Sequence, residues 1–426
     1  MAVTQDLDPP NSEHPDGCGP LIAPLSESTR PIRQQIFERV RAAGSISRAQ
    51  ISKELGVSPA SVTTQTSELI TSGILYEISE QRIVDDAARG RPPVALGVRP
   101  DAYYVVGIKL SDREHTAVVV DFAGNLLASA TVPSEGAKAT SEVLDATADL
   151  IDRACSEAGI ELASISAIGI GLPGFVDSAS GKAHWSPVLV ERDVNFADAA
   201  TRHLGAPVTI DNDANLVALA ELWFGVGRQL PDFAVVTIEH GVGMGLVVNH
   251  RLYRGAKGLG MELGHIKVQL DGALCRCGQR GCLEAYIADY ALGREATAAL
   301  DRIGQTTMIL PVLLESLFDN AKAGNTAARS IFRRAGRYLA LGLANVVNLF
   351  DPALIILSGE RMRYDYLYAE EMMRELEEMS LNAGRGAPRI EVHAWGDLLW
   401  AHGAAALALS SVTDQHLGMT RTQAMQ

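Results

Sequence analysis

The chain has 426 residues, 47% hydrophobic and 21% charged, a globular composition too long for one ordinary core. Asp6 and Asp8 stand where a secretory leader carries basic residues, and the most apolar helical run, residues 339–350, is too short for a bilayer and contains Asn345 and Asn348, so a cytoplasmic protein without a membrane segment is expected. The net charge of −14 is unevenly spread: residues 29–99 hold ten basic and seven acidic residues for +3, leaving −17 on the remainder, which suits a DNA reader joined to a different module.

Residues 1–28 are rich in Pro, Gly, Ser and Asp and read as a flexible tail that includes Cys18. Pro31 then opens a helix in which Ile32, Ile36 and Val40 recur at helical spacing up to Gly44. Ser47-Arg48-Ala49-Gln50 fits a capping box for a second short helix ending near Leu55, with Gly56 as the turn. Ser58 caps a third helix with Pro59 at its first position and Val62, Leu69 and Ile70 facing inward, and Gly73 ends it. Strands at 75–78 and 94–98 follow, separated by Arg89-Gly90-Arg91-Pro92. Three helices and a hairpin over residues 29–99 make a winged helix-turn-helix. Its third helix would enter the major groove, so Arg48, Ser58, Ser61, Thr63, Thr64, Gln65 and Ser67 are the expected DNA contacts, with wing residues Arg89 and Arg91 suited to a minor groove. The alternative for such a unit is protein contact alone.

From residue 102 the pattern changes. Residues 103–110, 116–121 and 126–132 read as strands, 140–158 as an amphipathic helix carrying Cys155 as a small core residue, and 165–171 as a buried strand. A second set begins at 233–238 and 245–249. The order β-β-β-α-β appearing twice implies an α/β fold of two similar lobes with a ligand cleft between them. Lobe 1 is expected over 100–225 and lobe 2 over 226–395. A closing helix at 396–411 returns to lobe 1, and 412–426 is a tail. The acids of residues 370–379 form a solvated face, with Met372, Met373, Leu376 and Met379 as core or dimer contact.

Two constellations carry chemistry. His265, Cys275, Cys277 and Cys282 crowd a short loop bearing Gly278 and Gly281, a donor set suited to tetrahedral Zn²⁺ with all four positions filled and hence a structural role; the alternative is three idle reduced thiols. Asp211-Asn212-Asp213-Ala214-Asn215 ends a strand and opens an Ala-rich helix. Its side chains can accept hydrogen bonds from hydroxyls, or can simply cap that helix.

The run Gly260-Met261-Glu262-Leu263-Gly264-His265, followed by Cys275-Arg276-Cys277-Gly278-Gln279-Arg280-Gly281-Cys282-Leu283-Glu284, resembles the signature of the ROK family (repressors, open reading frames and kinases). The resemblance extends from about residue 30 to 410. It implies an actin-like, hexokinase-type (ribonuclease H-like) two-lobed fold, often dimeric, with a sugar in the cleft. It further implies sugar contacts at Asn212, Asp213, Glu262, His265 and Glu284, with Gly174 lining the pocket and Asp213 matching the kinases' proton acceptor. Trp185, Ser186 and Pro187 are expected in the pocket wall.

The nucleotide side departs from the family's kinases. Where they carry Asp-x-Gly-Gly-Thr, this chain has Lys109-Leu110-Ser111-Asp112-Arg113, so a lysine replaces the acid and the turn has no glycine. His240 stands where a Gly-Thr pair is usual, and Ser358-Gly359-Glu360 replaces a Gly-Gly-Gly run. The combined expectation is a sugar-responsive DNA-binding regulator of carbohydrate metabolism genes, a repressor and homodimer, bound to operator DNA and a sugar effector, with phosphoryl transfer lost and Asp213 a vestigial base. The rivals are an ATP-dependent sugar kinase, or a regulator controlled by a protein partner with a vestigial pocket.

Overall fold

The computed structural model describes residues 17–21, 30–78, 94–300, 309–359, 370–381, 384, 389–393 and 398–418. The first helix, α1 (Ile32–Ala43), is followed by a two-residue strand β1 (Ile46–Ser47), α2 (Arg48–Leu55) and α3 (Pro59–Thr71). Ser47 Oγ accepts from the Gln50 amide, but the Gln50 side chain donates to Glu54, so only half of the expected capping box forms. Ser58 caps α3 and Pro59 occupies its first turn. β2 (Leu75–Ile78) and β3 (Ala95–Val98) pair antiparallel, and β1 adds to the free edge of β3, a strand too short to show in the sequence pattern.

Lobe 1 contains β4 (Tyr104–Lys109), β5 (Glu114–Asp121), β6 (Leu126–Pro133), α4 (Thr140–Ala158), β7 (Ile165–Leu172), the small hairpin β8 (Phe175–Asp177) and β9 (Lys182–Trp185), α5 (Phe196–Leu204) and β10 (Val208–Asn212). The helix α6 (Asp213–Phe224) leads to lobe 2, with β11 (Phe233–Ile238), β12 (Val242–Val248), β13 (Arg251–Tyr253), α7 (Glu284–Ile287), α8 (Asp289–Leu300), α9 (Leu310–Lys322), α10 (Thr326–Phe350), β14 (Ile355–Ser358), α11 (Glu370–Met379) and β15 (Ile390–His393). The sheets run β10-β7-β4-β5-β6 and β15-β14-β11-β12-β13, the same strand order built twice, with three antiparallel strands continued by two parallel ones. Cys155 is buried in the lobe 1 core as expected. In α11, Met372 and Leu376 face the core while Met379 is exposed.

The closing helix α12 (Leu398–Leu417) is longer than the 396–411 expected. Val412, Thr413 and Leu417 are buried, because the helix continues past lobe 1 to meet α1, so 412–417 is not tail. α12 lies so close to β4 that a Cβ on Gly107 would come 2.1 Å from the Ala401 carbonyl oxygen, which only glycine permits.

The N-terminal segment also corrects the expectation of a free tail. Cys18 is 3% exposed, its amide donates to the Arg41 carbonyl, and its Sγ lies 3.1 Å from the Ala123 carbonyl oxygen. The Gly19 amide donates to Trp223 and the Leu21 amide to Arg228. Residues 17–21 therefore strap the winged helix to lobe 1. Arg41, counted above among the basic residues of a DNA module, is buried in this joint. Its guanidinium lies 4.4 Å from the Trp223 ring centroid and 5.0 Å from that of Phe37, and donates to Thr413 Oγ1 at 2.9 Å. Arg228 donates to the carbonyls of Gly19 and Ala42, and Phe37 stacks on Phe122 at 4.9 Å. One hydrophobic cluster runs through both domains, from Ile36, Leu69 and Leu96 to Trp223 and Leu409. Among the described residues no helix is long and apolar enough to cross a membrane.

Candidate functional site

The end of β10 and the start of α6 form one wall of the cleft. Asn212 is the N-cap of α6: its Oδ1 accepts from the Ala214 amide at 2.9 Å while its Nδ2 donates to the Gly174 carbonyl at 2.7 Å, so one side chain ties helix start to pocket loop. Asp213 Oδ1 also accepts from the Ala214 amide. Burial raises the Asp213 carboxyl above its usual range, opposed by that amide and by the nearby Lys109 ammonium. Gly174 has φ +106°, and a Cβ there would lie 2.3 Å from the Trp185 carbonyl oxygen. That close approach puts Trp185 and Ser186 behind the pocket loop as expected, while Pro187 points to solvent.

The opposite wall comes from lobe 2. Glu262 opens a 3-10 turn that ends at His265. Its pKa is pushed up to about 7 by desolvation, then by the carboxylates of Asp213 and Glu284, which brings these three acids to one place. Glu284 begins α7, with Oε2 accepting from the Val242 amide at 3.3 Å and Oε1 from Tyr290 at 3.3 Å. The structure thus gathers Gly174, Asn212, Asp213, Glu262, His265 and Glu284 around one cleft. A cluster of carboxylates and an amide with spare acceptors suits a polyhydroxylated ligand.

Sequence reasoning missed what braces this wall. Asp211 is fully buried, accepts from the Asn212 amide and Asn215 Nδ2, and pairs with Arg254 at 2.7 Å. Arg254 sits just after β13 on the segment leading to Glu262, so the pair joins the two lobes behind the cleft. An arginine in a glycine-rich loop gives no pattern by which to foresee its partner.

The donor atoms of His265, Cys275, Cys277 and Cys282 lie within 4.8 Å of one another. His265 Nδ1 is 3.7 Å from Cys275 Sγ, and Cys277 Sγ is 3.8 Å from Cys282 Sγ. A tetrahedron with metal–sulfur bonds of about 2.3 Å has edges of about 3.8 Å; these two edges match it, and a donor set within 4.8 Å suits a Cys₃His zinc shell after a small contraction. Glu284 Oε1 is 3.4 Å from Cys275 Sγ, which links cleft and metal loop directly.

On the nucleotide side, Ser111 closes the β4–β5 turn, its Oγ donating to the Glu114 carbonyl and accepting from the Glu114 amide. Arg113 reaches across the cleft to His240 Nε2 at 2.9 Å, in the β11–β12 turn. Lys109 Nζ stands 4.1 Å from the Trp400 ring centroid. Gly359 is described and Glu360 lies outside the described residues.

On the winged helix, Ser58, Thr63, Thr64 and Ser67 are exposed and Ser61 and Gln65 half-buried, a polar surface along α3. The Thr63 and Thr64 hydroxyls donate to carbonyls one turn back within their own helix. Arg48 has intramolecular partners that the sequence did not show: its guanidinium donates to Thr66 Oγ1 and pairs with Glu77 at 2.8 Å, bracing α3 against β2. Arg89 and Arg91 lie outside the described residues.

Comparison with known proteins gives a consistent result. Residues 105–411 match the model of the ROK family. A putative xylose repressor of Caldicellulosiruptor sp. (strain Rt8B.4) is 28% identical over 86% of this chain and 92% of its own. A crystal structure of a ROK family transcriptional regulator, a homologue of the E. coli MLC protein, superposes with a TM-score of 0.75 at 25% identity, covering 90% of this chain and 96% of that one. A ROK hexokinase from Thermus thermophilus is 32% identical with a TM-score of 0.64, covering 73% of this chain and 99% of the hexokinase.

Proposed function

This chain belongs to the ROK family, and from that premise we propose that it is a sugar-responsive DNA-binding transcriptional repressor of carbohydrate metabolism genes. The observation that carries the reading is α6. Its first turn holds Asn212 and Asp213 in the cleft, and its last turn holds Trp223 under Arg41 of the winged helix. A ligand that draws the lobes together on Asn212, Asp213, Glu262, His265 and Glu284 acts on one end of a buried rod whose other end seats the DNA reader. The coupling available from differential affinity for two arrangements is about 1–3 kcal/mol. Ser58, Ser61, Thr63, Thr64, Gln65 and Ser67 contact the operator in this reading, with Arg89 and Arg91 at the wing; Arg48 supports α3. A homodimer in the cytoplasm would read two half-sites separated by whole helical turns.

Zinc held by His265, Cys275, Cys277 and Cys282 would supply a structural cross-link. The chain's own part is to hold His265 and Glu284 at fixed distance from the ligand. Lys109 at the kinases' acidic position, and the Arg113–His240 contact where a triphosphate would lie, favour a site without phosphoryl transfer. The likeness to the Thermus hexokinase supports the rival reading of an ATP-dependent sugar kinase, which a coupled assay across sugars decides. Turnover that vanishes in Asp213→Asn would establish the kinase. Mobility shifts on operator DNA with and without sugars test the repressor, and we expect release of DNA by one sugar.

A further inference from the structure

The hairpin β8–β9 turns one face to the lobe 1 core and the other to lobe 2. Val176 and Ala183 pair across it and are buried in that core. Phe175, one residue before Val176, lies on the opposite face. An irregularity in the pairing at His184 brings Trp185 opposite Phe175, with ring centroids 5.8 Å apart. This second face meets lobe 2: the Phe175 centroid is 6.2 Å from that of His265, and a Cβ on Gly258 would lie 3.2 Å from Asp177 Oδ1. Phe175 also follows Gly174, whose carbonyl accepts from Asn212. The Trp185 carbonyl backs Gly174, while its ring reaches Phe175. Both rings are half-buried, and among the described residues neither belongs to a hydrophobic core or packs against one. Two large rings side by side at a cleft, outside every core, make an apolar contact surface.

We propose that the ligand of this cleft is a disaccharide, its first ring held through hydroxyls by Asn212, Glu262 and Glu284 and its second ring stacked on Phe175 and Trp185. This deepens the sugar-responsive reading and rests on it. A pyranose carries hydroxyls at its rim and C–H bonds on its faces. The rim suits carboxylates and an amide, and the C–H face suits the electron-rich face of an aromatic ring. The rings stand in a row from His265 through Phe175 to Trp185, each step comparable to the width of one sugar ring. His265 belongs to the polar wall that takes the first ring, so Phe175 begins where that wall ends and Trp185 extends the surface outward along β9. A single sugar ring held by the polar wall leaves Trp185 uncovered; a second ring covers it.

The test is calorimetric titration of the full chain with hexoses, pentoses and amino sugars, each beside α- and β-linked disaccharides that contain it. One disaccharide should bind at least about tenfold tighter than either of its component sugars. Trp185→Ala should weaken that disaccharide at least about tenfold and leave the component sugars within about threefold, whereas Trp185→Phe, which keeps a ring, should keep most of the preference. The chain has four tryptophans, and the disaccharide should change the fluorescence of wild type far more than that of Trp185→Phe. Should Trp185→Ala fail to fold, this emission comparison decides. A component sugar that binds as tightly as every disaccharide overturns the proposal and leaves the sugar reading intact. So does a folded Trp185→Ala protein that loses both kinds of ligand equally or neither, or an emission change equal in wild type and Trp185→Phe. Failure of every monosaccharide and disaccharide to bind overturns the sugar reading itself.

Discussion

Replacing Trp223 with alanine removes the side chain on which the two domains meet. Trp223 is 5% exposed, lies under the Arg41 guanidinium, and its carbonyl accepts from Gly19 in the strap. Truncating a buried tryptophan costs about 3–5 kcal/mol. A desolvated cation–π contact is worth about 2 kcal/mol. The two overlap in the same atoms, so a loss of about 4 kcal/mol is expected. The damage should stay local, because eleven residues of helix at 1.5 Å each put Trp223 about 16 Å from Asn212. In a mobility-shift titration the effect of ligand on operator affinity should fall to nearly nothing, while ligand affinity by calorimetry stays within about threefold. Trp223→Phe, which keeps a ring beneath Arg41, should retain most of the coupling. A folded Trp223→Ala protein that binds operator and still responds fully to ligand would refute the role given to α6.

Three further outcomes are expected. His115 is buried on β5 with its pKa lowered to about 4, by burial first and the Lys138 charge second. Being neutral when folded, it supports stability above its unfolded value of about 6.5 and loses that support as pH falls from there to about 4, about 3 kcal/mol in all; denaturant titrations across this window should show a slope that His115→Gln removes. Zinc measured by mass spectrometry should be one per chain, and Cys277→Ser, at an exposed ligand, should lose metal and lower the melting temperature; unchanged metal content would contradict the assigned shell. Thr64→Glu and Ser67→Glu on α3 should weaken operator binding at least about tenfold by phosphate repulsion, whereas Arg48→Ala should cost stability of under about 1 kcal/mol through its half-exposed partner Glu77.

What could be read in the sequence was what is written locally. Ser58-Pro59 declares a helix start and Asn212 a cap at a strand end, and both stand in the structure; the glycine-bearing cysteine loop declares a cluster of donors, and His265, Cys275, Cys277 and Cys282 do come together. Features that depend on a distant partner were not legible. Cys18 sits among polar residues, so nothing nearby shows that it packs against Ala123. Arg41 carries the charge of a DNA contact, yet its place is set by Trp223 and Thr413, far away in the chain. The partners of Arg48, Thr66 and Glu77, were not legible for the same reason, since they are chosen by the fold. α12 outran its expected end because α1 gives Val412 and Leu417 a surface to bury. The cross-cleft contacts Arg254–Asp211 and Arg113–His240 likewise exist only once the lobes are assembled.

The central claim is that occupancy of the cleft sets the grip on DNA. It is tested most directly by titrating operator DNA with the full chain at fixed salt, in the absence and presence of saturating ligand, for wild type and for Asn212→Ala. The ligand should shift wild-type operator affinity about 5- to 150-fold, and that shift should disappear in the variant while its ligand-free DNA affinity stays close to wild type. Operator affinity that no sugar alters, or a shift that survives the loss of Asn212, would contradict the claim.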